Sequence, residues 1–241
     1  MPEFTQRSGE IEIMDDLNCT GQVLDQTLRE LEIINKWLGG NQITIDAISE
    51  LLKFWDKTKE VTIVDLGCGG GSILRIIDGW AKKQKLKIKL IGIDANPYII
   101  EFAKKNLADC PHIEFRTLNI FSNDFQNEKF DVILGTLFYH HFTNELLVEF
   151  FNQLKNNARA GFIINDIHRH WLAYYSIKFL TQLFSRSEMV KYDAPLSVLR
   201  AFKKSELIKI LQAANVQNFK IGWRWAFRWQ VIVNNLKEST K

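Results

Sequence analysis

The apolar positions of this chain change period along its length. In "TGQVLDQTLRELEIINKWLGG", Val23, Leu24, Leu28, Leu31, Ile34 and Leu38 fall at helical spacing, and Gly39 and Gly40 end the run. "ITIDAISELLKFWDK" predicts a second amphipathic helix. From there strand-like and helix-like runs alternate. "VTIVDLG", "LKIKLIGID", "HIEFRTLNI", "FDVILGTLF" and "AGFIINDI" read as five strands. "SILRIIDGWAKK", "NPYIIEFAKKNLA" and "TNELLVEFFNQLKNNA" read as helices, with Pro97 near the start of the second and Thr143 or Asn144 capping the third. Such alternation builds βαβ units, hence a parallel sheet with helices on both faces.

After the fifth strand the alternation breaks. "HWLAYYSIKFLTQLFSRSEM" predicts a helix with a broad apolar face, and "SELIKILQAA" another. "NFKIGWRWAFRWQVIV" then holds two strands with almost no connector, so the last must run antiparallel to its neighbour. The expectation is an α/β chain with a Rossmann-like, seven-stranded, mostly parallel sheet and an antiparallel last strand. Residues 1–42 form an N-terminal arm and cap helix, residues 43–241 the main domain, and residues 166–202 a helical lid insert. The first 18 residues are polar and acidic-leaning, which predicts a loose arm.

Composition narrows the partners. With 46% hydrophobic and 24% charged residues among 241, the chain is globular and long enough for a sizeable core. A net charge of +3 is too mild to imply nucleic acid, and the basic run "AKKQKLKIKL" is interrupted by apolar residues, the pattern of a solvated surface. Cys19, Cys68 and Cys110 are odd in number and widely spaced, so a reducing cytoplasm is expected rather than a disulfide framework. No signal peptide and no membrane span are expected.

The strongest chemical signal is "VTIVDLGCGGGS". A buried strand delivers Asp65, then Gly67, Gly69 and Gly71 at alternate positions, and Ser72 opens a helix. Glycine permits positive φ and lets a ligand lie against bare backbone. The next strand ends at Asp94, where a carboxylate can accept from both hydroxyls of a ribose. A dinucleotide and S-adenosylmethionine both fit such a site, although Ser72 is an imperfect third small residue for a dinucleotide fingerprint. The D-x-G-x-G-x-G spacing resembles motif I of the class I S-adenosylmethionine-dependent methyltransferases. The resemblance continues through Asp94, "FDVIL" and the terminal hairpin, over residues 43 to 233. It implies that Gly67, Cys68, Gly69 and Asp65 hold the methionine part of the cofactor and Asp94 the ribose. Ile93 and Ala95 would flank the adenine, and Asn119, Ile120 and Thr136 would complete the cofactor site. Asn119 stands where the family usually has an Asp, and its carbonyl oxygen can still accept from the adenine amino group.

The same resemblance makes strands four and five neighbours, so "LFYHHF" and "NDIHRH" converge beside the cofactor methyl. A His with a pKa near neutrality suits removal of a hydroxyl proton, and a carboxylate beside it fixes the tautomer. His140 with Asp166 is the preferred catalytic pair, His168 the competing base, and His141 a cap for the following helix. No metal is expected: strand four ends without the carboxylate that metal-dependent members carry, and adjacent His140 and His141 do not easily face one point. The lid aromatics Trp171, Tyr174, Tyr175, Phe179 and Phe184 would enclose a flat or apolar molecule. "RSEMVKYDAPLSVLRAF" resembles stretches in bacterial methyltransferases of polyketide-type pathways. The implied function is O-methylation of an aromatic or polyketide-like hydroxyl on a small-molecule acceptor, by a protein that is compatible with a homodimer. Rival readings are a non-catalytic S-adenosylmethionine-binding subunit and a nicotinamide-dependent oxidoreductase.

Overall fold

The computed structural model describes residues 2–236; the expected domain's last five positions, 237–241, lie outside the described residues, as does residue 1 of the arm. Seven strands form one sheet in the order β3-β2-β1-β4-β5-β7-β6. They are β1 (Val61–Leu66), β2 (Ile88–Asp94), β3 (Glu114–Thr117), β4 (Phe130–Thr136), β5 (Ala158–Ile167), β6 (Phe219–Arg224) and β7 (Arg228–Asn234). The first five pair in parallel, while β7 runs antiparallel to both β5 and β6. The expected sheet and its antiparallel last strand are therefore present. The third strand is shorter than its apolar pattern suggests, because Leu118 to Ile120 leave the ladder to form a loop over the carboxyl edge.

The helices are α1 (Gln22–Trp37), α2 (Gly40–Leu51), α3 (Ser72–Gln84), α4 (Pro97–Asn106), the short α5 (Asn123–Gln126), α6 (Asn144–Asn157), α7 (Trp171–Phe184), α8 (Glu188–Arg200) and α9 (Lys204–Ala213). Two apolar layers cover the sheet. Ile48, Leu51, Ile73, Leu74, Ile77 and Ile100 pack from α2, α3 and α4 onto one face. Phe125, Phe150, Phe151, Leu154, Leu207 and Leu211 pack from α5, α6 and α9 onto the other. Alternation along β5 splits its residues between these layers, Ile163 facing one and Phe162 and Ile164 the other. With both faces covered, the carboxyl edge of the parallel strands is the place left for a ligand.

Three expectations about the ends of this frame need correction. The predicted single helix after strand five is two helices, α7 and α8, because Ser187 caps a new helix through the Val190 N–H. The lid aromatics do not enclose the pocket: Trp171, Tyr175, Phe179 and Phe184 point outward, with Phe184 76% exposed. Ala173, Ser176, Ile177 and Leu180 supply the pocket wall instead. The arm is not loose. Ser8 N–H donates to Leu199 O, and Arg7 donates to the carbonyls of His140, Phe142 and Arg200. Its charges bond to groups more than 130 residues away, which local polarity does not reveal.

Candidate active site

A cavity of about 820 Å³ opens over the carboxyl edge of the sheet, between α1, the arm, α7, α8 and the β6–β7 hairpin. Its cofactor side is built by the β1–α3 loop. Gly67, Gly69 and Gly71 have φ of 64°, 49° and 75°, the left-handed region that only glycine enters freely. At Gly67 a Cβ would also lie 2.2 Å from the Phe138 ring, so bare backbone is needed for the strand-four turn to close over the loop. Asp65, Gly67, Cys68, Gly69, Ile93, Asp94, Ala95, Asn119, Ile120 and Thr136 all line this cavity.

The donors and acceptors here fit S-adenosylmethionine. Asp65 is 1% exposed, and its Oδ1 has no hydrogen-bond partner. Burial, with the Asp94 charge nearby, pushes its carboxyl well above the usual range. An incoming ammonium, such as the cofactor's methionine part carries, would satisfy that oxygen and its charge. Asp94 is pushed up by burial against the backbone N–H groups of Asn96, Gly69 and Ala95, which hold its carboxylate in place. Asn119 Oδ1 already accepts from Phe121 N–H at 2.9 Å, which leaves it one lone pair for an adenine amino group. Thr136 Oγ1 lies 3.1 Å from Thr44 Oγ1, which in turn accepts from Asn165.

The histidine pair lies at the middle of the edge. Leu137 takes a positive φ of 55° and donates its N–H to Asn165 O on β5. The chain then turns through a 3-10 segment, Tyr139–His141. Arg7 and Arg200 hold the carbonyls of this turn, Arg200 donating to His141 O at 2.6 Å. His140 Nδ1 is 2.7 Å from Asp166 Oδ1, and the His140 N–H donates to Asp166 Oδ2 at 3.1 Å. Ile167 N–H adds a third bond to Asp166, at 2.7 Å. Burial alone would raise the Asp166 carboxyl; the His140 ring and these bonds outweigh it and hold it below its usual value. The far nitrogen of His140, Nε2, is buried without a hydrogen-bond partner.

Sequence reasoning missed what faces that nitrogen. Glu12, from the arm, is 5% exposed and sets Oε1 3.6 Å from His140 Nε2. Asp15 follows and lies 2.6 Å from His141 Nδ1 and 2.6 Å from Arg200 Nη1. His141 therefore does not cap α6: Thr143 does, through the Leu146 N–H. Burial works against the His141 imidazolium, but Asp15 and Glu12 win and raise its pKa. Nor do the two histidines diverge. The 3-10 turn brings their rings to 4.3 Å, and Glu12, His140 and His141 each offer a ligand atom within 4.8 Å of the others. Two imidazoles and a carboxylate so placed could hold a divalent transition-metal ion.

His168 lies elsewhere. It packs on Trp229 with ring centroids 4.7 Å apart, its N–H donates to Phe227 O, and it is not in the cavity wall. Burial and the nearby His170, Arg169 and Lys203 charges lower its pKa to about 4. His170 caps α7, its Nδ1 accepting from Leu172 N–H at 3.1 Å.

A parallel sheet ending in an antiparallel hairpin, a glycine loop after β1 and an acidic residue closing β2 define a class I methyltransferase architecture. Residues 57–216 match the family model described as "Methyltransferase domain", and the chain belongs to that family. The resemblance to the S-adenosylmethionine-dependent methyltransferases is thereby borne out. Among curated proteins, 235L of Invertebrate iridescent virus 6, a methyltransferase by name, is 27% identical over 100 residues, or 42% of this chain. The match spans about a third, 34%, of that relative's length. Among solved structures, the plantazolicin methyltransferase BpumL with S-adenosylhomocysteine and a triazolic desmethylPZN analogue superposes with a TM-score of 0.62 at 18% identity, covering 86% of this chain and 90% of that one. The methyltransferase domain of the citrinin polyketide synthase gives 0.60 at 14%, covering 80% and 52%. Magnesium protoporphyrin IX methyltransferase from Synechocystis PCC 6803, also with S-adenosylhomocysteine, gives 0.54 at 17%, covering 82% and 84%. At these identities the likeness is one of fold. No helix among the described residues is long and apolar enough to cross a membrane.

Proposed function

We propose that the protein methylates a hydroxyl of a small aromatic or polyketide-like molecule, with S-adenosylmethionine as donor and His140 as general base. The observation that carries this reading is the buried His140–Asp166 pair, 2.7 Å apart, whose unpartnered Nε2 belongs to a cavity-lining side chain. The cofactor supplies an electrophilic methyl on a sulfonium, already a good leaving group. Asp65, Gly67, Gly69 and Asp94 bind and orient it. The remaining task is to place the acceptor in line and take its proton. Asp166 accepts from Nδ1–H, so that the lone pair lies on Nε2, and stabilises the imidazolium that forms. Apolar side chains of α1, α7 and the hairpin line the cavity and suit an aromatic or aliphatic skeleton. The plantazolicin, polyketide and porphyrin methyltransferases among the structural neighbours support a small-molecule acceptor.

Removing a general base costs roughly 10²–10⁴-fold in rate. His140→Ala should lower turnover on a panel of hydroxyaromatics by that order while S-adenosylhomocysteine affinity holds. Wild-type turnover in His140→Ala would sink the reading. The Glu12, His140 and His141 cluster favours a second reading, in which a divalent ion polarises the acceptor oxygen. Activity lost on chelation and restored by Zn²⁺ or Fe²⁺ would select it; activity that survives chelation selects the base.

A further inference from the structure

Arg228 is a buried cation that the cofactor and base assignments do not use. It opens β7, is 3% exposed and lines the cavity. One of its terminal nitrogens, Nη2, donates to Asn35 Oδ1 at 3.0 Å, and the other, Nη1, is buried with no partner. Among the described residues no carboxylate is paired with it. The one opposing charge it feels is Asp166, which is already committed to His140. Burial lowers its pKa to about 10, still far above neutrality, so it stays charged. A buried cation without a counter-ion is costly to keep, and the fold returns only one neutral hydrogen bond for it. Departures of this kind from the rules of a stable interior are expected at functional sites.

Its place on the sheet says which ligand. Along the order β2-β1-β4-β5-β7, the cofactor carboxylates Asp94 and Asp65 come first, His140 and Asp166 next, and Arg228 last. Arg228 pairs in register with Ile167, the residue after Asp166. Apolar side chains that line the same cavity include Ile34 and Leu38 from α1, which flank its partner Asn35 on that helix, Ile177 and Leu180 from α7, and Trp225 from the hairpin. Of the two arginines in the cavity wall, Arg200 is paired with Asp15, and Arg228 has no carboxylate partner among the described residues.

Resting on the methyltransferase reading, we propose that Arg228, braced by Asn35, recognises an ionised oxygen on the acceptor, so that the acceptor is an aromatic or apolar organic acid rather than a neutral phenol. A carboxylate or an acidic enolate on the acceptor would take a charge-assisted hydrogen bond from the unpartnered Nη1, with Asn35 holding Nη2. The pairing fixes which oxygen is presented to His140.

Binding without turnover tests this. With S-adenosylhomocysteine present, 3-hydroxy-2-naphthoate and the matching neutral 3-hydroxy-2-naphthamide are titrated by calorimetry, together with benzoate and anthracene carboxylate and their amides. Wild type should bind at least one acid about tenfold or more tighter than its amide, the worth of a hydrogen bond to a charged group. Arg228→Gln should bind both alike with unchanged S-adenosylhomocysteine affinity, which also shows that it folds. Arg228→Lys, which keeps the charge and loses the fork, should keep a reduced preference. Equal binding of acid and amide by wild type, binding of none of the acids at 1 mM, or a preference that persists in Arg228→Gln overturns the proposal. The base reading fails separately: His140→Ala with wild-type turnover would reject it while leaving the acid preference in place.

Discussion

Replacing Asp166 by Asn changes one atom and tests the dyad at its buried end. Asp166 is fully buried and accepts three hydrogen bonds, from His140 Nδ1, His140 N–H and Ile167 N–H. An amide cannot serve all three. With its oxygen in the Oδ1 position, the NH₂ opposes the His140 backbone N–H. Flipped, the NH₂ opposes Ile167 N–H and donates to Nδ1, which forces the proton onto Nε2 and removes the basic lone pair. Either orientation loses a charge-assisted bond and sets two donors against each other. The cost should be about 2–4 kcal/mol, or roughly 5–15 °C in melting temperature for a chain of this size. Turnover should fall roughly 10²–10⁴-fold. The assay is steady-state methyl transfer between pH 6 and 9, with scanning calorimetry and S-adenosylhomocysteine titration on the same samples. Asp166→Asn that is folded, binds the product normally and turns over at the wild-type rate across that range refutes the orienting role. The pH dependence has a definite sign. Asp166 titrates below its ordinary value, so its contribution to stability is present above about pH 3.9 and is lost as pH falls through the depressed value.

Asp94→Ala should weaken S-adenosylmethionine binding by about 1.5–3 kcal/mol per lost ribose hydrogen bond, and calorimetry showing unchanged affinity would reject its placement at the ribose. Gly67→Ala meets both a φ of 64° and the Phe138 ring 2.2 Å from the new Cβ, so it should cost on the order of 2–4 kcal/mol and displace Phe138; a melting temperature equal to wild type would contradict this. The arm should loosen as pH rises. His141, raised by its carboxylate partners, stabilises the arm below its ordinary pKa and stops doing so as pH climbs through the raised one; Asp193, pushed by burial to about 6 while accepting from Ile13 and Met14 N–H, costs stability once ionised. Asp15, lowered to about 2, keeps its charge throughout. Hydrogen-exchange protection of the amides of residues 8–16, corrected for intrinsic rate, should therefore fall between pH 6 and 8.5, and constant protection would show that these groups do not govern the arm.

The sheet was legible because its signals are local. Alternating apolar runs, glycines at every second position after Asp65, and two strands with almost no connector each force one backbone geometry on their own neighbourhood. Once the parallel order is granted, the meeting of His140 with Asp166 follows as well, since adjacent strand ends are about 5 Å apart. Local pattern carries no such information for the arm. Glu12, Asp15 and Arg7 look like ordinary solvated charges in a polar segment, and their roles come from partners 126 to 193 residues away that only the packed fold brings near. The same holds for α7, whose aromatic residues gave a correct helix but the wrong facing: its small and aliphatic side meets the pocket, and its rings face outward. The adjacency of His140 and His141 suggested diverging side chains. A 3-10 turn, pinned by Arg7 and Arg200 through its carbonyls, turned both rings to one side. Backbone period is written residue by residue, whereas the direction of a side chain in a turn, and the counter-charge it meets, are decided by elements distant in the chain.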